Sequence, residues 1–162
     1  MEKIIIWIED RPDTVSSQIR FLRDKSFKVY AVATVNRLND LLEQHKNEIV
    51  LIIVDIMLYS VKTLLSIDID DAPTEEGFRA GWVIMDRLLR PESGNSDYYD
   101  VPILIVSSQI FNDDNEERLV SIAGRGGAWI EYIEKGEIDT ESNITWIEKF
   151  SKTIEAKLIR SL

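Results

Sequence analysis

The run Ile49-Val50-Leu51-Ile52-Ile53-Val54 constrains this chain more than any other stretch, and it stops at a carboxylate, Asp55. Its residues are all apolar, mostly β-branched, and show no alternation. A strand apolar on both sides belongs inside a parallel sheet covered by helices on both faces. Asp55 then falls where the strand emerges at its C-terminal end. That is the edge at which open α/β sheets bind ligands.

Similar runs recur along the chain. Lys3 to Ile8 reads as a buried strand ending at Glu9-Asp10, and Phe27 to Ala33 as a second. Val101 to Val106 reads as a fourth strand, ending at Ser107-Ser108, and Ala128 to Ile133 as a fifth, stopping at Glu134-Lys135. Helical spacing fills the intervals. Pro12 and Asp13 suit a helix start, with Val15, Ile19 and Leu22 as its inner face to about Lys25. Thr34 or Asn36 caps a helix through Leu38, Leu41 and Leu42 that ends near Asn47. Gly81 to Arg90 places Trp82, Met85, Leu88 and Leu89 inside. Asn112 or Asp113 caps a helix with Leu119, Val120 and Ile122 as core, stopped by Gly124, Gly126 and Gly127. Ser142 or Asn143 opens a last helix carrying Ile144, Ile147, Phe150, Ile154, Leu158 and Ile159. His45 reads as solvent-facing, and Trp7, Trp82, Trp129 and Trp146 as core. Alternation of strand and helix implies one parallel sheet with right-handed crossovers.

Composition removes several function classes. A net charge of −10 disfavours a nucleic-acid surface, which needs a basic footprint. There is no cysteine, so disulfides, thiolate metal sites and Cys nucleophiles are excluded, and the single histidine, His45, excludes a His-based zinc cluster. No apolar run reaches membrane-spanning length, and Glu2, Glu9 and Asp10 break any signal-peptide pattern. The expected compartment is the cytoplasm. At 162 residues the expectation is one domain over 1–162.

Parallel strands all end on one side, so their polar ends meet. Glu9 and Asp10, Asp55, Ser107 and Lys135 come to one edge. Carboxylates crowded together repel unless they share a cation. Hard oxygen ligands without Cys or His favour Mg²⁺ or Mn²⁺, which recruit phosphate oxygens. A hydroxyl and an ammonium facing that metal suit a phosphoryl group carried by Asp55, because carboxylates are phosphoryl acceptors.

On IIWIED with Glu9-Asp10, IIVDIML with Asp55, the Gly81 helix start, PILIVSS with Ser107, and YIEK with Tyr132 and Lys135, the chain resembles the receiver domain of bacterial two-component response regulators. The resemblance spans nearly the whole chain. It implies a flavodoxin-like, doubly wound five-stranded parallel sheet of order 2-1-3-4-5 with helices on both faces. It implies that Asp55 accepts phosphate from a histidine kinase or phosphotransfer protein. Asp10 would bind Mg²⁺ directly and Glu9 mainly through water, with the Met57 backbone carbonyl completing the protein ligands. Lys135 would pair with phosphoryl oxygens, and Ser107 would move to hydrogen-bond them. Tyr132 would follow inward and change the surface read by a downstream protein. That face could also dimerise on phosphorylation.

The chain departs from the family pattern in three places. Roughly twenty extra residues, about 58–80, precede the Gly81 helix, an unusual length for a loop. Gly136 follows Lys135 where the family has proline, and a cis peptide costs more before a non-proline residue. Gly127 to Lys135 is also about one residue longer than the family spacing, with the Tyr132–Lys135 interval kept.

The acidic cluster Asp68, Asp70, Asp71, Glu75 and Glu76 lacks EF-hand spacing and reads as a solvated loop. Gly124 to Gly127 lacks the Lys-Ser/Thr of a P-loop. A second reading is a pseudo-receiver that is not phosphorylated and binds a protein through the 58–80 insertion. A turnover phosphatase of the haloacid-dehalogenase type needs a second Asp two residues after the nucleophile, and Met57 stands there. The expectation is therefore self-phosphorylation and self-dephosphorylation without turnover. Neither Met57 nor Gln109 offers a base for hydrolysis, so the phospho-form should be long-lived.

Overall fold

The strand ends do meet at one edge of a single sheet. The computed structural model describes residues 1–58, 63–64, 72–73, 77, 79–136, 138–139 and 144–160. The expected acidic cluster, the apolar residues Val61, Leu65, Ile67 and Ile69, and the caps Ser142 and Asn143 lie outside the described residues.

Five strands form the main sheet: β1 (Ile4–Ile8), β2 (Lys28–Val32), β3 (Ile49–Val54), β4 (Ile103–Ser107) and β5 (Ile130–Glu134). They pair in parallel in the order β2-β1-β3-β4-β5, the flavodoxin-like order expected. The helices are α1 (Ser16–Asp24), entered through a 3₁₀ turn at Pro12–Val15, then α2 (Val35–Gln44), α3 (Ala80–Ile84), α4 (Asp113–Ala123) and α5 (Trp146–Thr153). Both α3 and α5 continue as π-helical turns, through Met85–Leu89 and Ile154–Ile159.

Strand alternation divides the core into two layers, as the period of two requires. Ile4, Ile6, Ile8, Ile52, Val54, Ile103 and Ile105 pack with Leu38, Leu41, Leu42, Trp82 and Met85. Ile5, Trp7, Leu51, Ile53, Leu104, Val106 and Ile133 pack with Val15, Ile19, Leu22, Phe150, Ile154 and Leu158. Trp7 stacks on Phe150 with ring centroids 5.5 Å apart. Between its alternate caps the chain uses Thr34 for α2 and Asn112 for α4, whose side chains accept from the N–H groups of Arg37 and Asn115.

Several residues sit differently from expectation. Val120 is 64% exposed and Ile147 49%, because each lies on the outward side of its helix while Ile122 and Phe150 take the inner positions. Trp129 and Trp146 are only half-buried. Ile144 lies outside the last helix, in a two-residue antiparallel ladder with Ile138–Asp139, and Thr145 is the cap. His45 is not simply solvent-facing: its ring stacks on Tyr30 at 5.4 Å. A second short ladder pairs Thr63–Leu64 with Ala72–Pro73 in the insertion.

Arg90, a polar residue at a helix end, is wholly buried. Its guanidinium donates to the carbonyls of Tyr98 and Val101, the latter at 2.6 Å, and stands over the Tyr99 ring at 5.6 Å. It thereby fixes the polar loop Pro91–Asp100 to the start of β4. Arg125 fastens the outside of the same corner, donating to the Arg90 carbonyl at 2.8 Å and pairing with Asp86 at 2.6 Å. Truncating Arg90 to alanine leaves buried carbonyls without donors. The expected loss is about 3 kcal/mol, and urea unfolding would read it.

Candidate functional site

The sheet register builds the site. Ile8 pairs with Val54, and the Asp55 N–H donates to the Ile8 carbonyl at 3.0 Å, which sets Asp55 beside Glu9. On the other side Ser107 pairs with Glu134, and the Lys135 N–H donates to the Ser107 carbonyl at 2.7 Å. Parallel pairing therefore brings residues 9, 55, 107 and 135 to one edge, although they are distant in the chain.

Glu9 and Asp55 are nearly buried, at 2% and 4% exposure. The Lys135 ammonium lies between their carboxylates, 3.1 Å from Glu9 Oε2 and 3.3 Å from Asp55 Oδ2. Glu9 also accepts from the Arg11 N–H at 3.0 Å, and Asp55 Oδ1 from the Met57 N–H at 3.1 Å. Asp10 is half-buried at the same strand end. Ser107 is buried, its Oγ accepting from the Gln109 N–H at 3.2 Å. The Lys135–Gly136 peptide is trans, since no described peptide is cis, and Gly136 takes a φ of +84°.

One ammonium facing two buried carboxylates leaves an excess of negative charge. Burial first, then the charge and hydrogen bond of Asp55, push the Glu9 carboxyl up to about 8, against the opposing pull of Lys135. Folded Glu9 thus holds a proton that the unfolded chain releases near the ordinary carboxylate range. Stability of the metal-free protein is fullest below that range and falls as pH rises through about 8. Thermal melts in chelator across pH 5 to 9 are expected to fall along that span, and added Mg²⁺ to flatten the slope at its alkaline end.

The donor chemistry fits a hard divalent cation: carboxyl oxygens gathered at one strand edge, with neither thiolate nor imidazole beside them. Among the described residues no three His, Cys, Asp or Glu side chains are gathered into a metal cage.

Gly81 explains how α3 approaches so closely. Its N–H donates to the Ile56 carbonyl at 3.0 Å, and a Cβ there would lie 2.4 Å from the Asp55 carbonyl oxygen. Just beyond the site the Leu58 N–H donates to the Gly77 carbonyl at 3.0 Å, which brings the two ends of the insertion together.

Tyr132 is buried. Its hydroxyl donates to the Gln109 carbonyl at 2.7 Å, and its ring lies against Trp82 and Phe111 at 6.4 and 4.8 Å. Burial raises its pKa, so it remains a proton donor across the working range. Asn115 escaped the sequence reading: it is buried, and its side chain bridges the Trp82 indole and the Ile110 carbonyl. An Asn in the first turn of a helix signals capping or exposure, so nothing local marked it.

A scan against protein-family models gave no match, and a search of curated proteins gave none either. Solved structures did match. The chain is similar to the signal receiver domain of a DNA-binding response regulator from Colwellia psychrerythraea, with a TM-score of 0.54 and 17% identity over 96% of this chain and 100% of that one. It is also similar to the signal receiver domain of a LuxO repressor protein from Vibrio parahaemolyticus, with a TM-score of 0.52 and 13% identity over 99% and 93% of the two chains. With sheet order and helix placement agreeing, the chain has the fold of response-regulator receiver domains.

Proposed function

We propose that this chain, over 1–162, is a phospho-accepting receiver domain whose acceptor is Asp55. The observation that carries the reading is the Lys135 ammonium set between the buried Asp55 and Glu9 carboxylates at the C-terminal edge of the sheet. An Asp55 carboxylate oxygen attacks phosphorus, the bond from phosphorus to the donor group of a histidine kinase or phosphotransfer protein breaks, and an acyl phosphate results. Lys135 turns from its carboxylate partners toward the phosphoryl oxygens, and the Ser107 hydroxyl donates to another. Asp10, Glu9, Asp55 and the Met57 carbonyl would hold Mg²⁺ (or Mn²⁺), which supplies neutralisation of phosphoryl charge. Signalling passes to a downstream protein, with dimerisation on phosphorylation as one form of output. No turnover chemistry is assigned.

Incubation with acetyl phosphate and Mg²⁺ should add one phosphoryl group to the intact mass, and chelation should prevent it. The adduct should decay slowly, because neither Met57 nor Gln109 supplies a base to activate water; decay within seconds contradicts this. No addition under any condition moves the reading to a pseudo-receiver. In that case deleting Leu58 to Gly77 would abolish partner binding.

A further inference from the structure

Trp82 and Asn115 join the phosphoacceptor strand to the segment that carries Gln109 and Ile110. Trp82 follows Gly81, whose N–H is bonded to the Ile56 carbonyl one residue past Asp55. The Trp82 indole N–H donates to Asn115 Oδ1 at 3.0 Å, and both side chains are buried. Asn115 Nδ2 in turn donates to the Ile110 carbonyl at 2.7 Å, while its backbone N–H donates to the Asn112 side chain. The next carbonyl back, that of Gln109, receives the Tyr132 hydroxyl, and the Tyr132 ring stacks on the same Trp82. Ser107 accepts from the Gln109 N–H. The buried polar groups of this circuit are satisfied by one another, with the Tyr132 hydroxyl also hydrogen-bonded to Ser107, so displacing the 109–112 segment would leave an amide or an indole N–H without its partner.

We propose that Trp82 and Asn115 are positioning residues that lock the 109–112 segment and so keep Tyr132 in its inward seat. The lock couples the Asp55 strand end to the α4–β5 side of the sheet. Its consequence for phosphorylation rests on the receiver reading; the lock itself does not. Because linkage is reciprocal, a residue that favours the inward seat also favours whatever at Asp55 favours that seat.

The test labels the five tyrosines with 3-fluorotyrosine and assigns Tyr132 by Tyr132→Phe in ¹⁹F NMR of the full chain. Asn115→Leu removes both side-chain bonds, and Trp82→Phe removes the indole N–H together with the five-membered ring that carries it, leaving a smaller aromatic ring against Tyr132. The Tyr132 resonance should move or split in both, with the inward population relative to the outward falling about tenfold in Asn115→Leu and less in Trp82→Phe. Phosphoryl uptake from acetyl phosphate should slow about three- to tenfold in the same order. A Tyr132 signal unchanged in both variants overturns the proposal. If Asn115→Leu fails to fold, Trp82→Phe decides alone. If the wild type takes up no phosphoryl group, the receiver reading falls, and the fluorine signal still decides for or against the lock.

Discussion

Replacing Asp55 with asparagine is expected to abolish phosphoryl uptake while leaving the fold intact. The substitution keeps the size of the side chain and an acceptor for the Met57 N–H. It removes the anionic oxygen that would attack phosphorus and one of the two carboxylates around Lys135. It also removes the charge that, after burial, does most to raise the Glu9 carboxyl. Folding stability should therefore hold or rise, by up to about 1 kcal/mol, because one fewer buried charge lacks a counterion. Intact mass after incubation with acetyl phosphate and Mg²⁺ reads the first effect, and a thermal melt the second. Persistent labelling of Asp55→Asn at the wild-type level would place the acceptor elsewhere.

Gly81→Ala is expected to damage both the stability and the site of the domain with a single added methyl. In the first turn of a helix, alanine ordinarily gains about 0.5–1 kcal/mol over glycine. Here the added Cβ would stand 2.4 Å from the Asp55 carbonyl oxygen and 2.7 Å from the Ile56 Cα. Both are backbone atoms at the end of a central strand, and neither can turn aside as a flexible side chain would. Either α3 lifts off or the end of β3 moves. Overpacking of this kind costs about 3 kcal/mol after the helical gain, or a fall in melting temperature of about 6–12 °C for a chain of this size. The functional effect should exceed the stability effect, because the displaced backbone carries the acceptor. Phosphoryl uptake should fall at temperatures where circular dichroism still shows a folded protein. A melting temperature within a degree or two of wild type would show that α3 tolerates the shift.

Much of the fold could be read directly from side-chain periodicity. β3 announces itself because a strand buried on both faces needs apolar residues at every position, and the same logic exposes β1 and β4. The residues brought to the edge were legible for the same reason: a carboxylate, hydroxyl or lysine directly after such a run has to emerge at the strand's end. Tyr132 was also legible, as a residue three before Lys135, but not its inward seat.

Other features depended on contacts between distant residues. Arg90 is buried because carbonyls of a later loop surround it, and nothing near it in sequence gives notice of them. Val120 and Ile147 are apolar yet exposed, since helical spacing marks a face but not where its border falls once neighbours pack. Asn115 becomes a bridge only when Trp82, 33 residues earlier, points its indole at it. The raised Glu9 carboxyl likewise comes from burial beside Asp55. The sequence by itself determined the five strands of the main sheet, their parallel arrangement and which polar residues reach the ligand edge, because period and polarity are local properties. Only the tertiary structure decided which charges face each other, which polar groups are satisfied in the core and how closely α3 meets Asp55, because those follow from distances between segments.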